Sequence, residues 1–252
     1  MLTVSIITVC LNNATSIEQT INSVLSQNYP HIEYIIIDGG STDGTLKIIN
    51  QYKNKISFFV SEPDNGIYNA MNKGIKASTG QLIAFLNADD VYATENMLPD
   101  VVTCIEENCS DAVYGDLVYT SRNNQNKIVR YWKTGEYKKG AFRRGWVIPH
   151  PAFFCKKAIF GKYGYFDENF KIAADFELML RFIEKHHIKI DYLPRVLVKM
   201  RAGGRANTLT GIIRGNREII KSFGQNDIRL SPMFFLLKPI AKITQLFNKY
   251  TL

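Results

Sequence analysis

Three short polar clusters hold side chains that could bind a phosphorylated nucleotide and a cation. They are Thr8-Val9-Cys10-Leu11-Asn12-Asn13, Asp38-Gly39-Gly40-Ser41-Thr42-Asp43-Gly44-Thr45 and Asn87-Ala88-Asp89-Asp90. Asp38 can accept hydrogen bonds from a base or a ribose. Ser41 and Thr42 can cap a following helix, with Asp43 favoured near its positive end. Adjacent Asp89 and Asp90 repel each other unless a cation sits nearby, and hard oxygen ligands suit Mg²⁺ or Mn²⁺ on a diphosphate. Each cluster also reads, by itself, as a turn with a helix cap.

Each cluster follows a short apolar run, and those runs must position it. Thr3–Val9, Glu33–Ile37, Ile56–Val60 and Leu82–Leu86 read as buried strands. Ala14–Gln27, Thr42–Tyr52 and Gly66–Ala77 carry helical spacing between them. Continuous apolar strands alternating with helices predict an α/β fold with a mostly parallel sheet covered on both faces. Ligands of such sheets bind at the carboxyl ends of the strands, where all three clusters fall. Further on, Asn96–Glu107, Asp175–His186 and Thr210–Phe223 read as helices, and Ala112–Tyr119, Pro151–Cys155, Ile188–Tyr192 and Val196–Met200 as strands. Thr120–Gly145 is polar and basic and reads as a loop.

Composition narrows the class. The 252 residues, 46% hydrophobic and 21% charged, are ordinary for a globular protein and exclude collagen, coiled coil and disorder. Cys10, Cys104, Cys109 and Cys155 form no C-x-x-C pair, so reduced thiols are expected instead of a zinc site. No apolar run is long enough for a membrane span, and the N-terminal segment lacks a basic signal-peptide region, so a cytoplasmic location is expected. The net charge of +8 is split. Residues 1–125 hold 6 Lys/Arg against 14 Asp/Glu, whereas residues 126–252 hold 25 against 9. The basic half suggests an anionic partner, and the acidic half argues against a protein that coats nucleic acid.

Taken together and in order, the clusters resemble family 2 glycosyltransferases of the GT-A fold. The likeness is strongest over Val4–Tyr92, through VSIITVCLNN, SVLSQNYPHIEYIIIDGGSTDGT, SEPDNGIYNAMNKGI and FLNADDVY. It continues through IPHPAFF, GYFDENFKIAADFELMLR and Gly203-Gly204. The resemblance implies that Thr8, Val9 and Asp38 hold the nucleoside, and that Asp64 and Lys73 line the nucleotide and diphosphate region. Asn87-Ala88-Asp89 stands where the family carries its metal-binding D-x-D. The first Asp is Asn here, which removes one charge but leaves Asp89 as the metal ligand for Mn²⁺ or Mg²⁺. Asp175 takes the place of the general base, in Ala174-Asp175 where the family commonly has Glu-Asp. It would deprotonate an acceptor hydroxyl as that attacks the anomeric carbon, inverting the configuration. Asp175 also fits a helix N-cap, and Glu177 is the rival base. The resemblance further places His150 and Arg205 at the acceptor or diphosphate region. Trp146 could stack there on a sugar or pack in the core, and Asp167 could hold a turn beside the acceptor.

Residues 1–225 are expected to form the transferase domain and 226–252 a basic amphipathic tail. On a helical wheel Lys238, Lys242 and Lys249 share one face, and Leu236, Ile240, Ile243 and Phe247 the opposite one. That pattern suits an anionic membrane surface or a docked final helix. The expected partners are a nucleotide-sugar donor, a lipid-linked glycan acceptor of surface polysaccharide assembly, such as O-antigen or capsule, and the inner face of the cell membrane. No nucleic acid is expected. The competing readings are a sugar-nucleotidyltransferase, for which the first loop lacks Gly and Lys, and a non-catalytic protein that binds glycan or nucleic acid.

Overall fold

The computed structural model describes residues 1–203 and 208–247; Gly204 and Arg205 lie outside the described residues. Four parallel strands open the sheet: β1 (Val4–Cys10), β2 (Ile32–Asp38), β3 (Phe58–Ser61) and β4 (Leu82–Phe85), in the order β3-β2-β1-β4. Between them run α1 (Ile17–Leu25), α2 (Thr45–Gln51) and α3 (Ile67–Ala77). Alternate residues of β1 enter opposite cores. Ile7 and Val9 pack with Met71 and Ile75 of α3, and Val4 and Ile6 with Ile17 and Ile21 of α1. This two-sided burial is why the strand carries no polar face. Gly74 lets α3 approach β1 closely: a Cβ there would sit 2.4 Å from Ile7 Cγ2.

The second half adds β5 (Val91–Tyr92), α4 (Met97–Asn108), β6 (Ala112–Ser121), β7 (Asn124–Trp132), β8 (Phe153–Lys156) and α5 (Lys157–Tyr163). There follow α6 (Ala174–Leu180), β9 (Ile190–Arg201), α7 (Leu209–Gln225) and α8 (Phe234–Phe247). From β4 the sheet continues β8-β6-β9-β5, with β7 on β6. The β4–β8, β6–β8, β6–β7 and β5–β9 pairs are antiparallel, and β6–β9 is parallel. The expected mostly parallel sheet therefore holds for the first half only, and the whole sheet is mixed.

Three local expectations are corrected. The predicted loop 120–145 contains β7, an edge strand that among the described residues pairs with β6 alone and whose polar residues are tolerated because one side of it faces solvent. The two strands expected over Ile188–Tyr192 and Val196–Met200 are one strand, β9, which starts at Ile190 and whose register shifts at the stretch holding Pro194. The helix expected to His186 ends as α6 at Leu180 and continues as a wider π-type turn over Arg181–Lys185.

The first turn of α8 is anchored in the protein core. Phe234 is fully buried against Phe176 and Phe223. Lys238 faces inward: Gly145 lies beneath it, and Lys238 Nζ donates to Asn216 Oδ1 at 3.3 Å. Met233, Phe235 and Leu236 are exposed on the outer side. Among the described residues, no helix is long and apolar enough to cross a membrane.

Candidate active site

The three polar clusters meet at one edge, where β1, β2 and β4 end. The first two are stitched by main chain to side chain. Asn12 N donates to Ser41 Oγ at 2.8 Å, and Thr42 N to Asn12 Oδ1 at 2.9 Å. Asn13 N donates to Thr45 Oγ1 at 2.8 Å, and Ala14 N to Asp43 Oδ2 at 3.0 Å. Asn12 turns the chain with φ 56°, a conformation Asn tolerates.

Asp38 organises this edge. Its carboxylate accepts from Gly40 N (3.0 Å), Ser41 N (2.8 Å), Ser61 Oγ (2.6 Å), the Ser41 hydroxyl and the Cys10 thiol. Burial alone would raise its pKa, but the Ser41 and Ser61 hydrogen bonds outweigh it and hold the carboxyl below its ordinary range. Burial beside this carboxylate pushes the Cys10 thiol up, so Cys10 stays protonated. Thr8 is wholly buried, main chain included, and Val9 and Ala88 are nearly so, and the accessible surface of this edge comes from the loop residues after β1 and β2. Asp64 closes the edge from the loop after β3. It accepts from Gly66 N at 2.8 Å, and a Cβ on Gly39 would sit 2.6 Å from Asp64 Oδ2, so a side chain there would push this carboxylate aside. Lys73 pairs with Glu62 at 2.7 Å and reaches Pro63 O at 3.4 Å; it anchors the loop that carries Asp64.

The third cluster splits its carboxylates between two environments. Asp90 is fully buried and accepts from Asn87 Nδ2 at 3.0 Å and Arg201 N at 3.3 Å. Burial, then the neighbouring Asp89 charge, push its pKa well up. Asp89 is half-buried; burial raises its pKa, partly offset by Arg201 and by Arg122 at the β6–β7 turn. Among the described residues, no group of three or more His, Cys, Asp or Glu could hold a metal ion. Mg²⁺-type sites, however, commonly use one or two carboxylates plus substrate phosphates. Asp89, open beside a buried carboxyl that a cation would stabilise in its charged form, fits that arrangement. Asn87 faces Asp90 and contributes no charge.

The facing wall is aromatic and carries Asp175. Tyr68 of α3 stacks on Phe166 with ring centroids 5.6 Å apart, and its hydroxyl lies 3.3 Å from Asp175 Oδ1. His150 packs between Phe85 (5.3 Å) and Phe166 (5.9 Å). Its Nε2 is buried and has no hydrogen-bond partner among the described residues. Burial lowers its pKa against the opposing pull of Asp175, so the imidazole is neutral at pH 7. An unpaired ring nitrogen beside a carboxylate is a ready contact for a hydroxyl or phosphate oxygen.

Asp175 is aimed by residues whose sequence carries no obvious signal. Glu218 of α7 accepts from Lys171 N (3.0 Å), Ile172 N (2.8 Å) and Ala173 N (2.9 Å), fixing the turn just before α6. Asn72 brackets the main chain of Phe166, donating to its carbonyl at 2.9 Å and accepting from its N–H at 3.0 Å. Glu168 accepts from Asn69 and Asn72 of α3 at 2.9 and 2.8 Å. Asp167 holds the expected turn through Asn169 N at 2.9 Å. The rival base Glu177 is buried, chelated by Arg181 at 3.0 Å and bonded to Asn226 at 3.0 Å, so it is committed to structure. Trp146 is held edge-on to Tyr114 and Phe142, and its indole N–H donates to Thr134 O at 2.7 Å. It thus packs among aromatic side chains, while His150 and Asp175 stand together at the site. Arg205 lies outside the described residues.

A family model described as glycosyl transferase family 2 matches residues 5–163. The chain is 30% identical over 210 residues to a PGL/p-HBAD biosynthesis glycosyltransferase of Mycobacterium tuberculosis, covering 81% of this chain and 79% of that one. It is 36% identical over 115 residues to TuaG of Bacillus subtilis, a glycosyltransferase named for teichuronic acid biosynthesis, covering 44% and 46% respectively. In three dimensions it resembles S. aureus TarS, solved with UDP, at a TM-score of 0.65 and 20% identity, over 90% of this chain and 67% of that one. It also resembles the mannosyltransferase PcManGT of Pyrobaculum calidifontis, solved with GDP-Man and Mn²⁺, at a TM-score of 0.67 and 19% identity, over 95% and 68%.

Proposed function

The chain belongs to glycosyl transferase family 2 and is a glycosyltransferase of GT-A fold, and from this we propose an inverting enzyme that uses a nucleotide-diphosphate sugar. The donor proposed is a UDP-sugar, and the acceptor a hydroxyl of a lipid-linked glycan in surface polysaccharide assembly. The observation that carries the reading is one carboxylate, Asp175, facing the nucleotide edge beside His150 and Tyr68. The relatives' names, in teichuronic acid and PGL biosynthesis, support a cell-surface product.

The nucleoside would lie at the end of β1, beside Thr8 and Val9, with Asp38 holding the loop and Asp64 closing it. Asp89 would hold Mn²⁺ or Mg²⁺ together with the donor diphosphate. When bound, that ion neutralises charge developing on the departing diphosphate. Asp175 accepts the proton of the acceptor hydroxyl as its oxygen bonds to the anomeric carbon. The bond from that carbon to the diphosphate oxygen breaks in the same step, so the configuration inverts. Neutral His150 would hold an acceptor or phosphate oxygen through Nε2. The enzyme is proposed to work at the cytoplasmic face of the membrane.

The test is a thermal-shift panel of UDP, GDP, dTDP and CMP, with and without Mn²⁺, on wild type and Asp89→Ala. Stabilisation by one nucleotide, strengthened by Mn²⁺ and lost in the variant, supports the reading and names the donor class. No shift with any nucleotide, with stabilisation by oligonucleotides, would sink it and favour nucleic-acid binding.

A further inference from the structure

A cavity of about 560 Å³ opens between the basic segment 138–144 and the stretch leading into α8. Lys139, Arg143, Arg144 and Arg229 line it, with Glu184 and Asp227. Both carboxylates are already engaged. Glu184 accepts from Gly140 N at 3.2 Å and Phe142 N at 3.3 Å, and Asp227 pairs with Lys185 at 3.4 Å. Among the described residues, none of the four cations is in an ion pair. Arg143 Nε donates to Arg229 O at 2.8 Å, which ties the two walls together. The cavity is thus a held cationic recess.

Its rim runs directly into an apolar surface. Ser231 lines the cavity, and its hydroxyl accepts from Met233 N at 3.3 Å. From there Met233, Phe235 and Leu236 are 50%, 40% and 64% exposed. Phe234 and Lys238 face inward, so these three exposed side chains stand on the solvent side. Apolar side chains gathered beside free cations match an anionic lipid surface, with phosphate at the cations and hydrocarbon at the apolar side.

We propose that this recess binds the phosphate of an anionic membrane lipid while the exposed Met233, Phe235 and Leu236 at the start of α8 enter the acyl layer. The proposal sharpens the membrane-facing reading above and rests on it for its biological sense. Geometrically, it stands on the recess and the exposed residues alone.

The test is flotation of the full chain with vesicles of phosphatidylcholine alone or mixed with phosphatidylglycerol. Wild type is expected to bind only the anionic vesicles. Arg144→Glu/Arg229→Glu should weaken that binding by roughly tenfold or more, since each basic residue near an anionic surface contributes appreciably. Leu236→Asp should weaken it too, with both variants keeping the wild-type melting temperature. Undiminished binding by the charge-reversal variant would overturn the proposal. So would failure of wild type to bind anionic vesicles, or self-association abolished by Leu236→Asp, which would make the surface an interface between copies. Nucleotide thermal shifts on the same variants separate the two readings. If donor binding fails and vesicle binding holds, the transferase site is wrong and the lipid site stands. The reverse result overturns the lipid site only.

Discussion

Tyr68 and Asp175 meet across the site: a hydroxyl on α3 stands 3.3 Å from a carboxylate on α6, 107 residues away in sequence. The Tyr68 phenol is buried, and burial, then the Asp175 charge, raise its pKa well above the ordinary value, so it remains protonated and can donate. The contact joins α3, beside the proposed nucleotide edge, to α6, which carries the proposed base. Asp175→Asn is therefore expected to lower turnover by about 10²–10⁴ while donor binding is unchanged. Tyr68→Phe should reduce turnover less and leave the nucleotide thermal shift intact. Initial rates beside calorimetric donor titrations check both; an Asp175→Asn enzyme at near-wild-type rate removes Asp175 as the base.

Glu218 supports the same carboxylate from behind. It takes three main-chain N–H groups just before α6, and although burial would raise its pKa, those bonds hold it below the ordinary range. Glu218→Gln keeps the shape but loses charge-assisted acceptance. It should lower both melting temperature and kcat, with donor KM little changed. A loss of stability with kcat intact would mean that the turn does not aim Asp175.

How much of this could be read from the residues follows from where each signal lives. β1, β2 and β4 were legible because strands buried on both faces must be apolar throughout, and the polar residues after them stood out. β7 was not, because an edge strand needs no apolar run, and NQNKIVRYW reads as loop. Asp175 is singled out by the motif around it, whereas nothing in the sequence marks Glu177 as bound by Arg181 and Asn226. Glu218 and Asn72 had no local signature, since each acts on main chain far along the sequence. Asn69 and Asn72, three apart on α3, were the nearest hint, because that spacing puts both on one side of the helix. The wheel of the tail separated its lysines from its apolar residues, but which side faced the protein depended on Phe234, Gly145 and Asn216.

Asp38 gives a pH dependence with a definite sign. Its folded pKa is below the unfolded value, so its contribution to stability is present above pH ~4 and fades as pH falls through the folded value. Asp38→Asn should lower stability at pH 7 and leave a shallower loss between pH 5 and 2. Chemical denaturation at a series of pH values checks this. Parallel curves for the two proteins would show that the carboxylate is not what holds the loop.

Asn87 stands where a second carboxylate would face a buried one. Its amide donates to Asp90 Oδ2 at 3.0 Å, and Asp90 already has a raised pKa from burial and from Asp89. Asn87→Asp replaces a donor by an acceptor against that carboxyl. Without metal it should destabilise the fold by about 1–3 kcal/mol, the cost of an unsatisfied buried polar contact. A divalent cation offsets three clustered carboxylates better than two, so Mn²⁺ should recover more stability in the variant than in wild type. Melting curves of both proteins with and without Mn²⁺ decide it. If the variant melts like wild type in the absence of metal, the Asn87–Asp90 hydrogen bond contributes little, and the amide at this position is not there to shield the buried carboxyl.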